Sequence, residues 1–181
     1  MITRSAQEAA RRRAIVLFDQ AGIAARADEL DRIEVADFGL GELEQSGAQI
    51  LTLVDTSQIA AKVLALLPHQ VLPEHRHPRQ GSYAGKEETI RCAWGELYVY
   101  GPGEPAPHPK GRPPAHRRQA YTVWHERVLQ PGEQVTFPPD VPHWFQGGSQ
   151  GAVAWSFSTK ATDGADVFTD PDVRRETLVV D

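Results

Sequence analysis

From Gln49 onward the chain breaks into short β-prone runs, each closed by a turn, and that punctuation limits the fold more than any other feature. The runs cover residues 50–54, 60–67, 90–100, 121–129, 134–137 and 152–158. Between them stand Leu67-Pro68, Gln130-Pro131-Gly132-Glu133, Pro138-Pro139-Asp140 and Gly147-Gly148. Proline lacks a ladder donor and presets φ, and glycine adopts backbone angles closed to other residues, so strands end at these points. Many short strands punctuated in this way predict a mainly β fold, an antiparallel barrel or sandwich.

The first 47 residues have another texture. Residues 5–21 are expected to form an amphipathic helix, with Ser5 and Glu8 as a capping box, an apolar stripe of Ala9, Ala14, Leu17 and Phe18, and a stop at Ala21-Gly22. A second short helix is expected over 36–43, ending before Gly47. The predicted layout is therefore one domain, 1–181, with a helical N-terminal arm (1–47), a barrel core (49–160) and a C-terminal segment (161–181). Segment 101–118 stands apart, with six prolines and the cations Lys110, Arg112, Arg117 and Arg118. It reads as a solvated loop between two strands, or as a basic lid over a site.

Composition excludes several classes of partner. A net charge of −5 argues against nucleic acid or an anionic membrane as principal partner. The single cysteine, Cys92, excludes an internal disulfide and fits a reducing compartment. The basic run Arg11-Arg12-Arg13 precedes only a short apolar patch, unlike a signal peptide, and no apolar run reaches the length of a membrane span. A cytoplasmic, soluble protein is the expectation.

The chemistry is concentrated in Glu74-His75-Arg76-His77-Pro78, with Glu88 eleven residues after His77 and His143 much later. In a strand, residues two apart share a face, so His75 and His77 can present two imidazoles to one point. Glu88 and His143, arriving from other strands, would complete a set of three nitrogens and one carboxylate. Such a set holds a divalent first-row metal and leaves positions open for substrate. Of the remaining histidines, His69, His108 and His116 read as solvated or structural. His125, on a predicted strand, faces either the site or the core.

The order His75, His77, Glu88, Gly95, then Gly132, Pro138, His143 resembles the two motifs of the cupins, with a longer stretch than usual between His77 and Glu88. A narrower family also shows. Glu34-Val35-Ala36-Asp37-Phe38-Gly39-Leu40-Gly41, Pro73-Glu74-His75-Arg76-His77-Pro78 and Gly85-Lys86-Glu87-Glu88-Thr89 look like the cupin-type D-lyxose isomerases. So do Tyr121-Thr122-Val123-Trp124-His125-Glu126, Pro142-His143-Trp144-Phe145-Gln146, Phe157-Ser158-Thr159 and Ala165-Asp166-Val167-Phe168-Thr169-Asp170-Pro171. The resemblance implies a cupin jelly-roll barrel, a manganese-dependent aldose–ketose isomerase acting on D-lyxose and D-xylulose, with D-mannose and D-fructose as a second pair, and a homodimer. It also implies a carboxylate near Ser156, where this chain has Trp155 and Ser156.

The reaction suits the donor set independently of the family. A divalent metal beside adjacent carbonyl and hydroxyl oxygens acidifies the C2–H bond, and a positioned base moves the proton to C1. Oxygen-rich substrate and a three-histidine, one-carboxylate set favour Mn²⁺, with Co²⁺, Fe²⁺ and Zn²⁺ compatible by ligand type. Lys86 and Glu126 are the catalytic candidates, Lys86 either as a donor to a developing oxyanion or as a base, Glu126 as a carboxylate on the 121–129 strand. Glu87 is expected to point away. For substrate contact the candidates are Lys86, Trp144, Phe145, Asp166, Phe168 and Arg174, with one of Trp144 and Phe145 expected to border the metal cavity. Two other readings share the donor set: an Fe(II) cupin dioxygenase and a non-catalytic sugar-binding cupin. The motifs beyond the metal ligands favour the isomerase.

Overall fold

The computed structural model describes residues 1–181. Its elements run β1 (Ile2–Thr3), α1 (Arg4–Gln20), α2 (Ala27–Leu30), β2 (Glu34–Ala36), β3 (Ala48–Asp55), β4 (Ile59–Leu66) and β5 (Val71–Arg76). Then come β6 (Glu88–Gly101), a 3-10 turn (Ala115–Ala120), β7 (His125–Leu129), β8 (Gln134–Phe137) and β9 (His143–Thr159). A 3-10 turn (Asp163–Ala165), β10 (Val167–Phe168) and β11 (Val179–Val180) complete the chain.

Two long strands, β6 and β9, pair antiparallel along nearly their whole length and carry both halves of a curled sheet. The N-terminal part of β9 pairs with β5, and its C-terminal part with β4, which leads on to β3 and β2. On the other side of β6, the start of the strand takes β8 and the end takes β7. The sheet bends where the β6–β9 register shifts beside Gly95. Gly95 has φ +75°, and a Cβ there would lie 2.3 Å from the Gly151 carbonyl oxygen, so the bend admits no side chain. The result is the cupin jelly-roll barrel expected from the sequence.

Alternation sorts the apolar residues into three sets. Ile50, Leu64, Leu66, Leu72, Ile90, Leu97, Val99, Phe137 and Phe145 fill the barrel interior. Leu51, Val63, Ala65, Leu67 and Val153 face outward and are covered by Ala10, Ala14, Leu17 and Phe18 of α1. Full burial of Leu17 and Phe18 contributes about 1.5–3 kcal/mol each, and packing of this amphipathic face against the barrel holds the helix in place. The third set, Val71, Tyr98, Tyr100, Tyr121 and Trp144, lies on the opposite outer face.

Several expectations needed correction. Helix α1 is capped by Thr3, whose Oγ1 accepts the Ala6 N–H, and Ser5 lies inside the helix, so there is no Ser5–Glu8 capping box. No helix forms over 36–43. The buried Asp37 carboxylate accepts the Gly39 and Gly41 N–H groups, and Phe38, Gly39 and Gly41 all have positive φ, which ends any right-handed helical run. The run 121–129 is strand only over β7, because the Thr122 and Val123 N–H groups are captured by Glu74 instead of a neighbouring strand.

Segment 101–118 is not a lid over the barrel mouth. It lies over the aromatic outer face, where Gly111 N–H donates to Tyr100 Oη and Arg112 N–H donates to Gln146 Oε1. Arg117 ties it to Glu42, Asp170 and Asp172, and the Arg118 guanidinium sits 3.3 Å from the centre of a Trp124 ring. No helix is long and apolar enough to cross a membrane.

Candidate metal centre and active site

Strand pairing delivers the metal donors. His75 on β5 and His143 at the start of β9 are cross-strand partners, and their rings approach to 4.4 Å between centroids. His77 follows just beyond β5 on the same face, and Glu88 opens β6. All four residues are buried, and one donor atom from each lies within 4.8 Å of every other.

The hydrogen bonds behind the rings decide what those atoms can do. His75 Nδ1–H donates to the Pro73 carbonyl at 2.9 Å, and His143 Nδ1–H donates to the Val141 carbonyl at 2.8 Å. A carbonyl can only accept, so both protons sit on Nδ1 and both Nε2 lone pairs face the cluster. His77 Nδ1–H donates to Asp166 Oδ1 at 2.6 Å, leaving its Nε2 directed at Glu88 Oε2. The buried His143 Nε2 has no hydrogen-bond partner, and Glu88 Oε2 lies 3.5 Å from it. A buried lone pair is costly without a donor. Four converging donors, one of them orphaned, fit a divalent cation.

Glu88 is held from both ends. Its Oε2 faces the imidazoles, while Oε1 accepts from Ser156 Oγ at 2.6 Å and from Lys86 Nζ at 3.2 Å. Burial alone raises a carboxyl pKa, but the Lys86 ammonium and the imidazoles of His143 and His77 that face the carboxylate outweigh it and keep Glu88 well below its ordinary value. Burial, reinforced by the neighbouring histidines, pushes His75 well down, toward the neutral imidazole a metal needs. For Lys86 burial works against the charge, and Glu88, Asp163 and Asp166 more than compensate, so its pKa is raised.

The cavity beside this cluster is lined by Lys86, Phe145, Asp166 and Phe168, as well as His75 and Glu88. Asp166 orients His77 through the bond given above. Replacing it with asparagine is expected to weaken metal affinity by roughly 10–100-fold, read by titration against a competing chelator; unchanged affinity would show that the His77–Asp166 bond does not support the ligand.

Three expected contacts lie elsewhere. Glu126 accepts from Tyr100 Oη and from the Lys110 N–H, on the face covered by segment 101–118. Trp144 follows His143 directly and therefore points to the other side of β9, where it stacks on Tyr100 at 3.8 Å. Arg174 donates to the Pro171 and Val173 carbonyls and anchors the tail. His125 sits with Nδ1 3.1 Å from the Glu104 carbonyl oxygen, outside the cavity.

In their place the cavity has Lys62, Ser156, Asp163 and Arg175. Lys62 left one sign in the sequence, a charge inside the apolar run 59–66, at the same alternation as Leu64 and Leu66. Asp163 lies in a polar loop, and Arg175 stands beside Arg174 with nothing local to separate the two.

Curated relatives match nearly the whole length of the chain. The D-lyxose ketol-isomerase of Thermofilum sp. is 49% identical over 175 residues, covering 97% of each chain. The D-lyxose ketol-isomerase of Cohnella laeviribosi is 49% identical over 170 residues, 94% of this chain and 93% of that one. Among solved structures, Cellulomonas parahominis L-ribose isomerase with no ligand superposes with a TM-score of 0.82 at 17% identity, covering 99% of this chain and 98% of that one. A mutant of Acinetobacter sp. DL28 L-ribose isomerase in complex with L-ribose gives 0.83 at 16% identity with the same coverage. These two show likeness of fold. No protein-family model matches the chain.

Proposed function

This chain belongs to the D-lyxose ketol-isomerase family, and on that footing we propose that it interconverts D-lyxose and D-xylulose, with D-mannose and D-fructose as a second pair. The observation that carries the reading is the buried cluster of His75, His77, Glu88 and His143 opening onto a cavity walled by ionised side chains. Mn²⁺ is the proposed occupant of the cluster, and when bound it supplies Lewis acidity to adjacent sugar oxygens.

The chain's own groups do the rest. Lys86, fixed beside Glu88, donates a hydrogen bond to the sugar oxygen that gains charge as the C2 proton leaves. Ser156 keeps Glu88 Oε1 turned away from the histidines, so that Oε2 remains their neighbour. Phe145 and Phe168 give the cavity apolar walls that restrict water around a reactive enediolate. A homodimer, as the family resemblance implies, belongs to the same proposal.

The test is isomerisation by metal-stripped protein before and after Mn²⁺ is restored, with the assembly mass read on the same sample by light scattering. The expected result is D-xylulose from D-lyxose only in the loaded sample, from a particle of twice the chain mass. A folded protein with stoichiometric Mn²⁺ that converts neither D-lyxose nor D-mannose would overturn the substrate assignment.

A further inference from the structure

The cavity wall carries more ionised groups than metal binding uses. Lys62, Asp163 and Arg175 line the cavity as well. Lys62 is the cross-strand partner of Ser156, and its ammonium is bonded to Asp163 Oδ2. Arg175 lies 3.9 Å from the same oxygen. The other oxygen, Oδ1, is 3.5 Å from Lys86 Nζ, which is itself 3.2 Å from Glu88 Oε1. A single ammonium group therefore separates the carboxylate of the metal cluster from that of Asp163.

Isomerisation through an enediolate needs a base that takes the proton from C2, and the same group can return it to C1. Glu88 has one oxygen facing the imidazoles and the other shared by Ser156 and Lys86. Asp166 Oδ1 is hydrogen-bonded to His77, so a proton carried on that carboxylate would weaken the bond that orients a metal ligand. Lys62, Lys86 and Arg175 face carboxylates as cations and lack a lone pair to offer. Asp163 differs: its partners are the ends of long cationic side chains, and its own side chain lines the cavity while remaining 23% exposed.

We propose that Asp163 is the carboxylate that carries the proton between C2 and C1, with Lys62 positioning it. The proposal rests on the isomerase reading above. Asp163 Oδ1 takes the C2 proton; the C–H electron pair becomes the C1=C2 bond, and the carbonyl π pair moves onto O1, which takes up a proton from water. In the second half O2 releases its hydroxyl proton to water, its O–H pair forms the C2=O2 bond, and the C1=C2 pair takes the proton back from Asp163 at C1. The carboxylate ends as it began, and the sugar has only moved two hydrogens.

The experiment compares Asp163→Asn with Lys62→Gln in Mn²⁺-loaded protein, using D-lyxose deuterated at C2. Asp163→Asn is expected to lower kcat by roughly 10²–10⁴-fold and to abolish deuterium loss from C2. Its Mn²⁺ content and its affinity for D-arabinitol, which has no carbonyl to isomerise, should stay at wild-type values. Lys62→Gln breaks the same ion pair but keeps the carboxylate, and is expected to retain deuterium loss. A second variant, Asp163→Ala, should regain deuterium loss when formate is supplied. Equal defects in Asp163→Asn and Lys62→Gln, or deuterium loss retained in Asp163→Asn, would reduce Asp163 to a structural latch and overturn the proposal. So would a folded, metal-loaded Asp163→Ala that formate does not revive. Wild-type protein that binds Mn²⁺ yet neither isomerises nor exchanges the sugar is a separate result, which removes the isomerase reading itself.

Discussion

Replacing His143 with alanine is expected to remove bound metal and turnover together. His143 Nδ1–H is fixed on the Val141 carbonyl, so Nε2 has no other use than to face the cluster, where no hydrogen bond meets it. Loss of an outer partner of a metal ligand typically costs roughly 10–100-fold in affinity, and loss of a ligand itself is expected to exceed that. The remaining His75, His77 and Glu88 would still attract a cation, but with three donors in place of four. Metal analysis after dialysis, alongside the D-lyxose assay, reads both effects. The fold should survive, because the side chain makes no hydrogen bond across the barrel, although its ring stacks on Phe137 at 4.4 Å. Full metal content in this variant would remove His143 from the ligand set.

The next residue along β9 should behave in the opposite way. Trp144→Ala is expected to destabilise the protein by about 3–5 kcal/mol, the usual range for emptying a large aromatic site, measured by denaturant unfolding. Trp144 is fully buried, stacked on Tyr100 and met edge-on by Tyr121 and Trp124. Its Nε1–H donates to the Val123 carbonyl at 2.8 Å, which helps hold the irregular 121–124 segment over the sheet. Removing the indole opens a cavity that stacked neighbours cannot readily fill. Metal affinity in the still-folded variant should be close to wild type, because the side chain lies across the sheet from the donors. Normal stability with lost metal binding would mean that Trp144 reaches the metal cavity after all.

The contrast between these two neighbours shows where a sequence reading is strong. Alternation in a strand is local and periodic, so His75 and His77 could be placed on one face, and either Trp144 or Phe145, but not both, at the cavity. Phe145 is the one that lines it. Which side of β9 faces inward depends on β5 and β6, which flank it. Glu126 shows the limit of the same argument. A carboxylate on a barrel strand is a reasonable catalytic candidate, but β7 pairs only with the far end of β6, and its position there gives Glu126 to Tyr100 and Lys110.

The helix expected over 36–43 failed for a different physical reason. Its apolar residues have helical spacing, but the Asp37 carboxylate competes for the N–H groups of Gly39 and Gly41, and the buried turn that results contributes Phe38 to the cavity wall. Segment 101–118 was ambiguous because prolines and cations are compatible with either a solvated loop or a lid. The deciding contacts, Arg117 with Glu42, Asp170 and Asp172, join residues distant in the chain.

The barrel class and the four donors are legible in short stretches of the chain, because strand periodicity, turn chemistry and ligand type are local properties. The cationic and acidic wall of the cavity is not local. Lys62 and Asp163 meet across 101 residues of chain, and Arg175 reaches them from the tail. Nothing in the local sequence of any of the three encodes that meeting; it arises because the sheet curls far enough to bring β4, the loop after β9 and the C-terminal segment to the same opening.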